Sequence, residues 1–132
     1  MIVLDASAVV ELLLGTELGR SIAARIADPA IGLHAPHLVD VEVAQALRRY
    51  VQEGDLDPGT ARVALEHLRL LDIERHGHEP LLDRIWTLRD NLTAYDAVYV
   101  ALAEALDANL LTCDGKLARA PGVDKRVELV RA

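Results

Sequence analysis

Four acidic side chains stand at places in this sequence where a carboxylate needs a reason. Asp5 ends the apolar run Ile2-Val-Leu, and Asp114 follows Asn109-Leu-Leu-Thr-Cys. Glu42 lies three residues after Val39 and four before Ala46, so a helix would set it in the stripe of Val43, Leu47 and Tyr50. Asp96 opens a segment, Ala97 to Ala103, that is apolar on nearly every side. Each has an ordinary explanation when taken alone. An acid between a strand and a helix often caps the helix, which would account for Asp5 and Asp114. Glu42 could pair with an arginine, and Thr93-Ala-Tyr-Asp96 follows the pattern of a capping box. Taken together they describe a different chemistry. Four ionised carboxylates about 5 Å apart, at an effective dielectric of about 20, repel by about 3 kcal/mol per pair and roughly 20 kcal/mol in all. That exceeds the whole stability of a domain. Such a cluster must spread, protonate in part or hold divalent cations, and hard oxygen donors suit Mg²⁺ or Mn²⁺.

The elements that must position these acids can be read from punctuation and periodicity. Ile2 to Asp5, Ile31 to His34, Leu71 to Glu74 and Asn109 to Thr112 read as strands buried on both faces, and Arg126 to Val130 alternates like an edge strand. Helical patterns fill the intervals. Ser7 can cap Ala8 to Leu14, which Gly15 stops, and Thr16 to Asp28 ends at Pro29. His37 to Gln52 closes at Gly54, and Asp57 with Pro58 opens a helix reaching Arg69. Glu79 to Arg89, Thr93 to Leu106 and a short turn over Lys116 to Ala120 complete the set. Strands alternating with helices imply an α/β fold of three layers, α/β/α, around a central parallel sheet of about five strands. Ligands of such sheets sit beyond the carboxyl ends of the strands, where strand order reverses. The four acids fall at two strand ends and on two helices, all directed to that edge.

Composition narrows the function classes. With 132 residues, 52% apolar and 27% charged, residues 1–132 read as a single domain with a real hydrophobic core. Phe is absent and aromatics make up only 3%, so the core must be Leu, Val, Ile and Ala, and stacking platforms for single-stranded nucleic acid are not expected. A formal charge of −7 argues against a polyanion held by bulk electrostatics. Cations bound among the acids would cancel part of that charge. Twelve of the 14 basic residues are Arg, the type that grips phosphate with two parallel hydrogen bonds. One cysteine, Cys113, forms no intrachain disulfide, and no run of 18 apolar residues or cleavable leader is visible, so a cytoplasmic protein without membrane attachment is expected.

Four stretches then carry a resemblance. They are Ile2-Val-Leu-Asp5-Ala-Ser7-Ala, Glu42-Val-Ala-Gln-Ala-Leu-Arg-Arg, Leu92-Thr-Ala-Tyr-Asp96-Ala-Val-Tyr-Val-Ala-Leu-Ala and Leu111-Thr-Cys-Asp114-Gly-Lys-Leu-Ala-Arg. In these, across nearly its whole length, the chain resembles PIN-domain proteins, specifically the VapC-type toxins of bacterial toxin–antitoxin pairs. The resemblance implies a metal-dependent endoribonuclease with Asp5, Glu42, Asp96 and Asp114 as the catalytic, metal-binding set. Thr112 would be an auxiliary polar residue and Ser7 a support. It further implies Mg²⁺ or Mn²⁺, an RNA substrate, a cognate antitoxin and homodimerisation. Some relatives carry another acid two positions after the last one, where this chain has Lys116.

Among other residues, Arg48, Arg49, Lys116 and Arg119 flank the acidic motifs and are the expected RNA contacts. Asp40 reads as a solvated first-turn acid. His34 and His37 are separated by a proline and are expected to be structural or surface residues, and His76 and His78 read as loop residues. Cys113 reads as a small buried side chain. Two rival functions fit the fold class. One is a catalytically inactive RNA- or protein-binding module. The other is a phosphotransfer domain, but a second Asp two residues after Asp5 is missing, Ser7 standing there, and so are an early acidic pair and a distal Lys after a strand.

Overall fold

Three apolar residues, Ile2–Leu4, are enough to make the central strand, because both neighbours supply its hydrogen bonds and both faces are covered. In the computed structural model, which describes residues 1–123 and 126–131, this β1 is followed by α1 (Ala6–Leu14), α2 (Glu17–Arg25), β2 (Leu33–Pro36), α3 (Leu38–Gln52) and α4 (Pro58–Leu70). Then come β3 (Ile73–His76), a 3₁₀ turn (Glu79–Leu81), α5 (Leu82–Thr87), α6 (Ala94–Leu106), β4 (Asn109–Thr112), α7 (Gly115–Arg119) and β5 (Val127–Leu129). All strand pairs are parallel and the order is β3-β2-β1-β4-β5. The order therefore reverses between β1 and β4, the place where parallel sheets open a crevice.

Helix α1 packs on α2, α3 and α4, while α5 and α6 pack together and α6 lies along β1, β2 and β4, giving the three-layer α/β/α arrangement. The core is aliphatic, with Leu4, Ile22, Leu47, Leu110, Leu111 and Leu117 fully enclosed; Tyr99 is its one fully buried aromatic among the described residues. Helix ends follow local chemistry. Gly15 closes α1 at φ 63°, a left-handed conformation that costs glycine nothing. Thr16, Asp57 and Thr93 cap α2, α4 and α6 through side-chain oxygens. No described helix is long and apolar enough to cross a membrane.

Two strands lie two residues later than the hydrophobic pattern suggests. The expected Ile31 to His34 is Leu33–Pro36, and the expected Leu71 to Glu74 is Ile73–His76. Pro36 is tolerated because the β1 pairing ends at Val3 opposite His34, so its missing N–H falls past that ladder. Strand β3 is an edge, paired only with β2, and so carries Glu74, Arg75 and His76 where a central strand would be apolar. Leu71 instead terminates α4. The helix expected over Glu79 to Arg89 is divided into the 3₁₀ turn and the six-residue α5.

Candidate active site

The carboxyl ends of β1 and β4 are adjacent, so Asp5 and the Thr112-Cys-Asp114 segment meet. Asp5 is almost fully buried at 6% exposure and caps α1 itself, accepting the Ala6 N–H on Oδ1 at 2.9 Å. Ser7, expected to be that cap, sits two residues on, within the first turn, and has a different task. Its hydroxyl donates to Asp5 Oδ2 at 2.8 Å and accepts the Cys113 N–H at 3.0 Å. Thr112, fully buried, donates to the same Oδ2 at 2.7 Å and accepts the Asp114 N–H at 3.0 Å. Two hydroxyls thus lock the first acid to the strand across the sheet. Burial raises the pKa of Asp5; the hydrogen bonds from Thr112, Ser7 and Ala6 oppose this, and the Asp114 charge adds to it.

Glu42 emerges half-buried from α3, and its partner is a tyrosine where an arginine was the ordinary expectation. The Tyr99 hydroxyl donates to its Oε1 at 2.6 Å. Burial raises the Glu42 pKa, the Tyr99 hydrogen bond lowers it, and the charges of Asp5 and Asp96 raise it again. Tyr99 in turn is held firmly protonated by burial and by Glu42, so toward Glu42 it serves as the donor. Asp96 occupies the first turn of α6, where Thr93, not Asp96, is the cap; the Asp96 N–H donates to the Thr93 hydroxyl at 3.2 Å. Burial raises its pKa, followed by the charges of Asp5 and Asp114. Asp114 caps α7, accepting the Lys116 N–H on Oδ1 at 2.9 Å.

All four acids line one open cleft of about 480 Å³, together with Ser7, Glu11, Gln45, Arg49 and Cys113. Three of them bind protons more tightly than an isolated carboxylate, as mutual repulsion and burial require. Of the four basic residues singled out by sequence, Arg49 lines the cleft beside Tyr50, with its guanidinium carbon 5.6 Å from that ring. Arg48, Lys116 and Arg119 are exposed and do not line it. Tyr99 and Glu11 are additions that sequence reading did not supply. A tyrosine in an otherwise aliphatic buried helix is the available signal for the first, since its hydroxyl must find a partner. Glu11 is the one charged residue of the largely apolar α1, and that isolation is the available signal for the second. The Cys113 thiol is pushed up to about 11 by burial and by Glu11 and Asp5, which disfavours the nucleophilic thiolate.

Two other expectations are refined. Asp40 is, as expected, a partly exposed first-turn acid of α3, and it also has a partner: Arg75 on β3 grips it with two nitrogens, at 2.8 and 2.9 Å. His76 ends β3 and touches His34, while His78 accepts the Leu38 N–H at 3.0 Å and so caps α3.

The sequence pattern of the PIN domain matches residues 2–123. The chain belongs to the PIN-domain family. Among its relatives, Ribonuclease VapC1 of Mycobacterium tuberculosis is 45% identical over 130 residues, covering 98% of this PIN domain chain and 97% of the relative. Ribonuclease VapC9 of the same organism is 47% identical over 117 residues, covering 89% and 88%. Among solved structures, Mycobacterium tuberculosis VapC20, described as a sarcin–ricin loop cleaving toxin, superposes with a TM-score of 0.69 over 95% of this chain and 98% of that one, at 17% identity. VapBC2 of Rickettsia felis, solved on a DNA fragment from its promoter, gives a TM-score of 0.70 over 99% and 100%, at 15% identity. At such identities the superpositions speak for the PIN fold alone.

Proposed function

We propose that this PIN domain is an endoribonuclease that hydrolyses RNA phosphodiester bonds as the toxin of a toxin–antitoxin pair. The observation that carries the reading is the gathering of Asp5, Glu42, Asp96 and Asp114 around one open cleft at the reversal of strand order. The ribonuclease names of relatives at 45 and 47% identity support the choice of RNA.

The donor set fits Mg²⁺ or Mn²⁺. It consists of carboxylate oxygens, hard ligands gathered in one cleft, where burial and mutual repulsion are relieved by a bound cation. When bound, such a cation supplies Lewis-acid stabilisation of the charge that develops on the phosphate and lowers the pKa of nearby water. The chain's own groups have separate tasks. Asp5, with both oxygens engaged by Ala6, Ser7 and Thr112, is a fixed anchor that cannot swing. Glu42 is oriented by the Tyr99 hydroxyl. Asp96, lining the cleft from the first turn of α6, orients the attacking water and takes up the proton it loses. The water oxygen forms the new bond to phosphorus as the P–O bond to the leaving oxygen breaks. Arg49 at the cleft meets a substrate phosphate, and Arg48, Lys116 and Arg119 extend the contact outward.

The test is cleavage of RNA by the purified chain in Mg²⁺ or Mn²⁺. Excess EDTA abolishes it, Ca²⁺ supports it poorly, and Asp96→Asn and Glu42→Gln each lower it by about 10² or more at unchanged fold. Undiminished cleavage in EDTA defeats the metal reading. A folded chain that binds RNA but cleaves none in any divalent ion would leave a binding module. A protein antitoxin, a homodimer and a cytoplasmic setting complete the proposal. Co-purification with the product of an adjacent small reading frame, and light scattering on the chain alone, check the first two.

A further inference from the structure

A second group of metal-ligating side chains lies away from the acid cleft. His34 on β2 and Glu74 and His76 on β3 project from the same side of two neighbouring parallel strands, because His34 is in register with Glu74 and strand side chains alternate with period two. Each offers one ligand atom, and the three atoms all lie within 4.8 Å of one another. His34 Nδ1 stands 2.9 Å from His76 Nε2 and 3.4 Å from Glu74 Oε2. A tetrahedral ion with bonds of about 2.0–2.1 Å holds its ligands about 3.3 Å apart, so the two distances from His34 already lie within about half an ångström of that spacing, and the third pair, within 4.8 Å, closes by rotation of the exposed Glu74 side chain. None of the three lines the acid cleft.

We infer that His34, Glu74 and His76 form a second, independent cation site, selective for a divalent transition ion such as Zn²⁺ and clamping the edge strand β3 to β2. Imidazole nitrogens with a single carboxylate select zinc-like ions over Mg²⁺, the reverse of the preference of the all-oxygen cleft. The surroundings suit the role. His34 and Glu74 line a surface pocket of about 230 Å³ with Gly32 and Asp72, leaving room for water at the remaining coordination position. A Cβ at Gly32 would come within 3.2 Å of His34 Nε2, so glycine there leaves that ring its space. His34 is buried, which favours the neutral ring that a metal needs. The 2.9 Å contact between the rings carries one N–H. On binding, that proton moves to the other nitrogen of its own ring, so both rings stay neutral and both lone pairs face the ion.

The site is tested with Co²⁺ as an optical probe and Zn²⁺ as a thermal one, on the full chain in excess Mg²⁺. The expected result is a visible tetrahedral Co²⁺ absorption at one ion per chain, displaced by Zn²⁺, and a Zn²⁺-dependent rise in Tm. Glu74→Gln and His76→Gln, both on the accessible edge strand, lose the absorption and weaken Zn²⁺ binding by about 100-fold, at least the loss seen when even an outer partner of a metal ligand is removed. Asp96→Asn keeps both signals, which separates this site from the acid cleft. Absence of the absorption and of the Tm rise in the wild type overturns the inference. So does their survival in His76→Gln, or their loss in Asp96→Asn.

Discussion

Asp5 and Asp96 carry the same group in the same cleft, and neutralising them has opposite consequences. Asp96→Asn keeps the contact with Thr93 and removes a charge facing Asp5 and Asp114. The metal-free protein gains up to about 1 kcal/mol, after allowance for the solvent that screens its open side. Asp5→Asn instead places an NH₂ group among two hydroxyls that already accept the Cys113 and Asp114 N–H groups, so the Thr112 hydroxyl loses its buried acceptor. That variant loses about 1–3 kcal/mol despite the relieved repulsion. Urea melts in EDTA give both signs. The acids also set a pH dependence. Folded-state pKa values raised above the unfolded ones mean that the native protein holds protons the unfolded chain has released, so these groups oppose stability increasingly as pH rises from about 4 through the raised values. His34, with a lowered pKa, acts in the other direction, costing stability as pH falls below about 6.5. The stability difference between wild type and Asp96→Asn, followed in EDTA from pH 4 to neutrality in steps of about one unit, isolates the acid contribution and widens with pH. The four acids were legible in sequence because a charge in an apolar stripe or at a strand end is conspicuous. Tyr99 was not, because its partner Glu42 lies 57 positions away and only the fold joins them.

Helix α2 approaches α1 so closely that a Cβ at Gly19 would lie 2.0 Å from the carbonyl oxygen of Glu11. Backbone cannot move aside as a side chain can. Gly19→Ala therefore forces α2 away from the helix that carries Glu11, and costs about 3 kcal/mol or more. Gly15→Ala is the comparison, strained only by its positive φ with open space around it, and costs about 1 kcal/mol. Thermal melts of the two variants rank them. Element types and order followed from hydrophobic period and caps; Asp57-Pro58 and Gly15 mark their helix ends as the structure has them. The displaced strands show what period alone misses. Ile31 and Leu71 are apolar but only partly buried beside the core, whereas Arg75 and His76 are in β3 because an edge strand keeps one side open to polar partners such as Asp40. Helix capping by His78 was equally hidden, since it reaches α3 from across the sheet edge.

A molecule of net charge −7 that gathers four carboxylates in one cleft repels a polyanion until cations intervene. Divalent ions should therefore govern RNA binding as well as cleavage, and filter binding in EDTA should show affinity falling together with activity. Arg49→Ala, at the cleft, should weaken binding more than Arg48→Ala, Lys116→Ala or Arg119→Ala, each of which lowers the slope of log K against log salt by up to about one. Mg²⁺ should raise the Tm of the wild type more than that of Asp96→Asn, because only the intact acid set binds it fully. The anchor of that set also has a consequence in time. The hydroxyl that holds Asp5 belongs to Thr112, 107 positions later, on a strand that must slot in beside β1 after α1 to α6 have been made. During synthesis from the N-terminus, the growing chain carries Asp5 without the strand that anchors it, even after Tyr99 has appeared to orient Glu42. The proposed nuclease thus has no anchored first acid until β4 has been made and has paired with β1, so its site is completed late in the order in which the elements are synthesised.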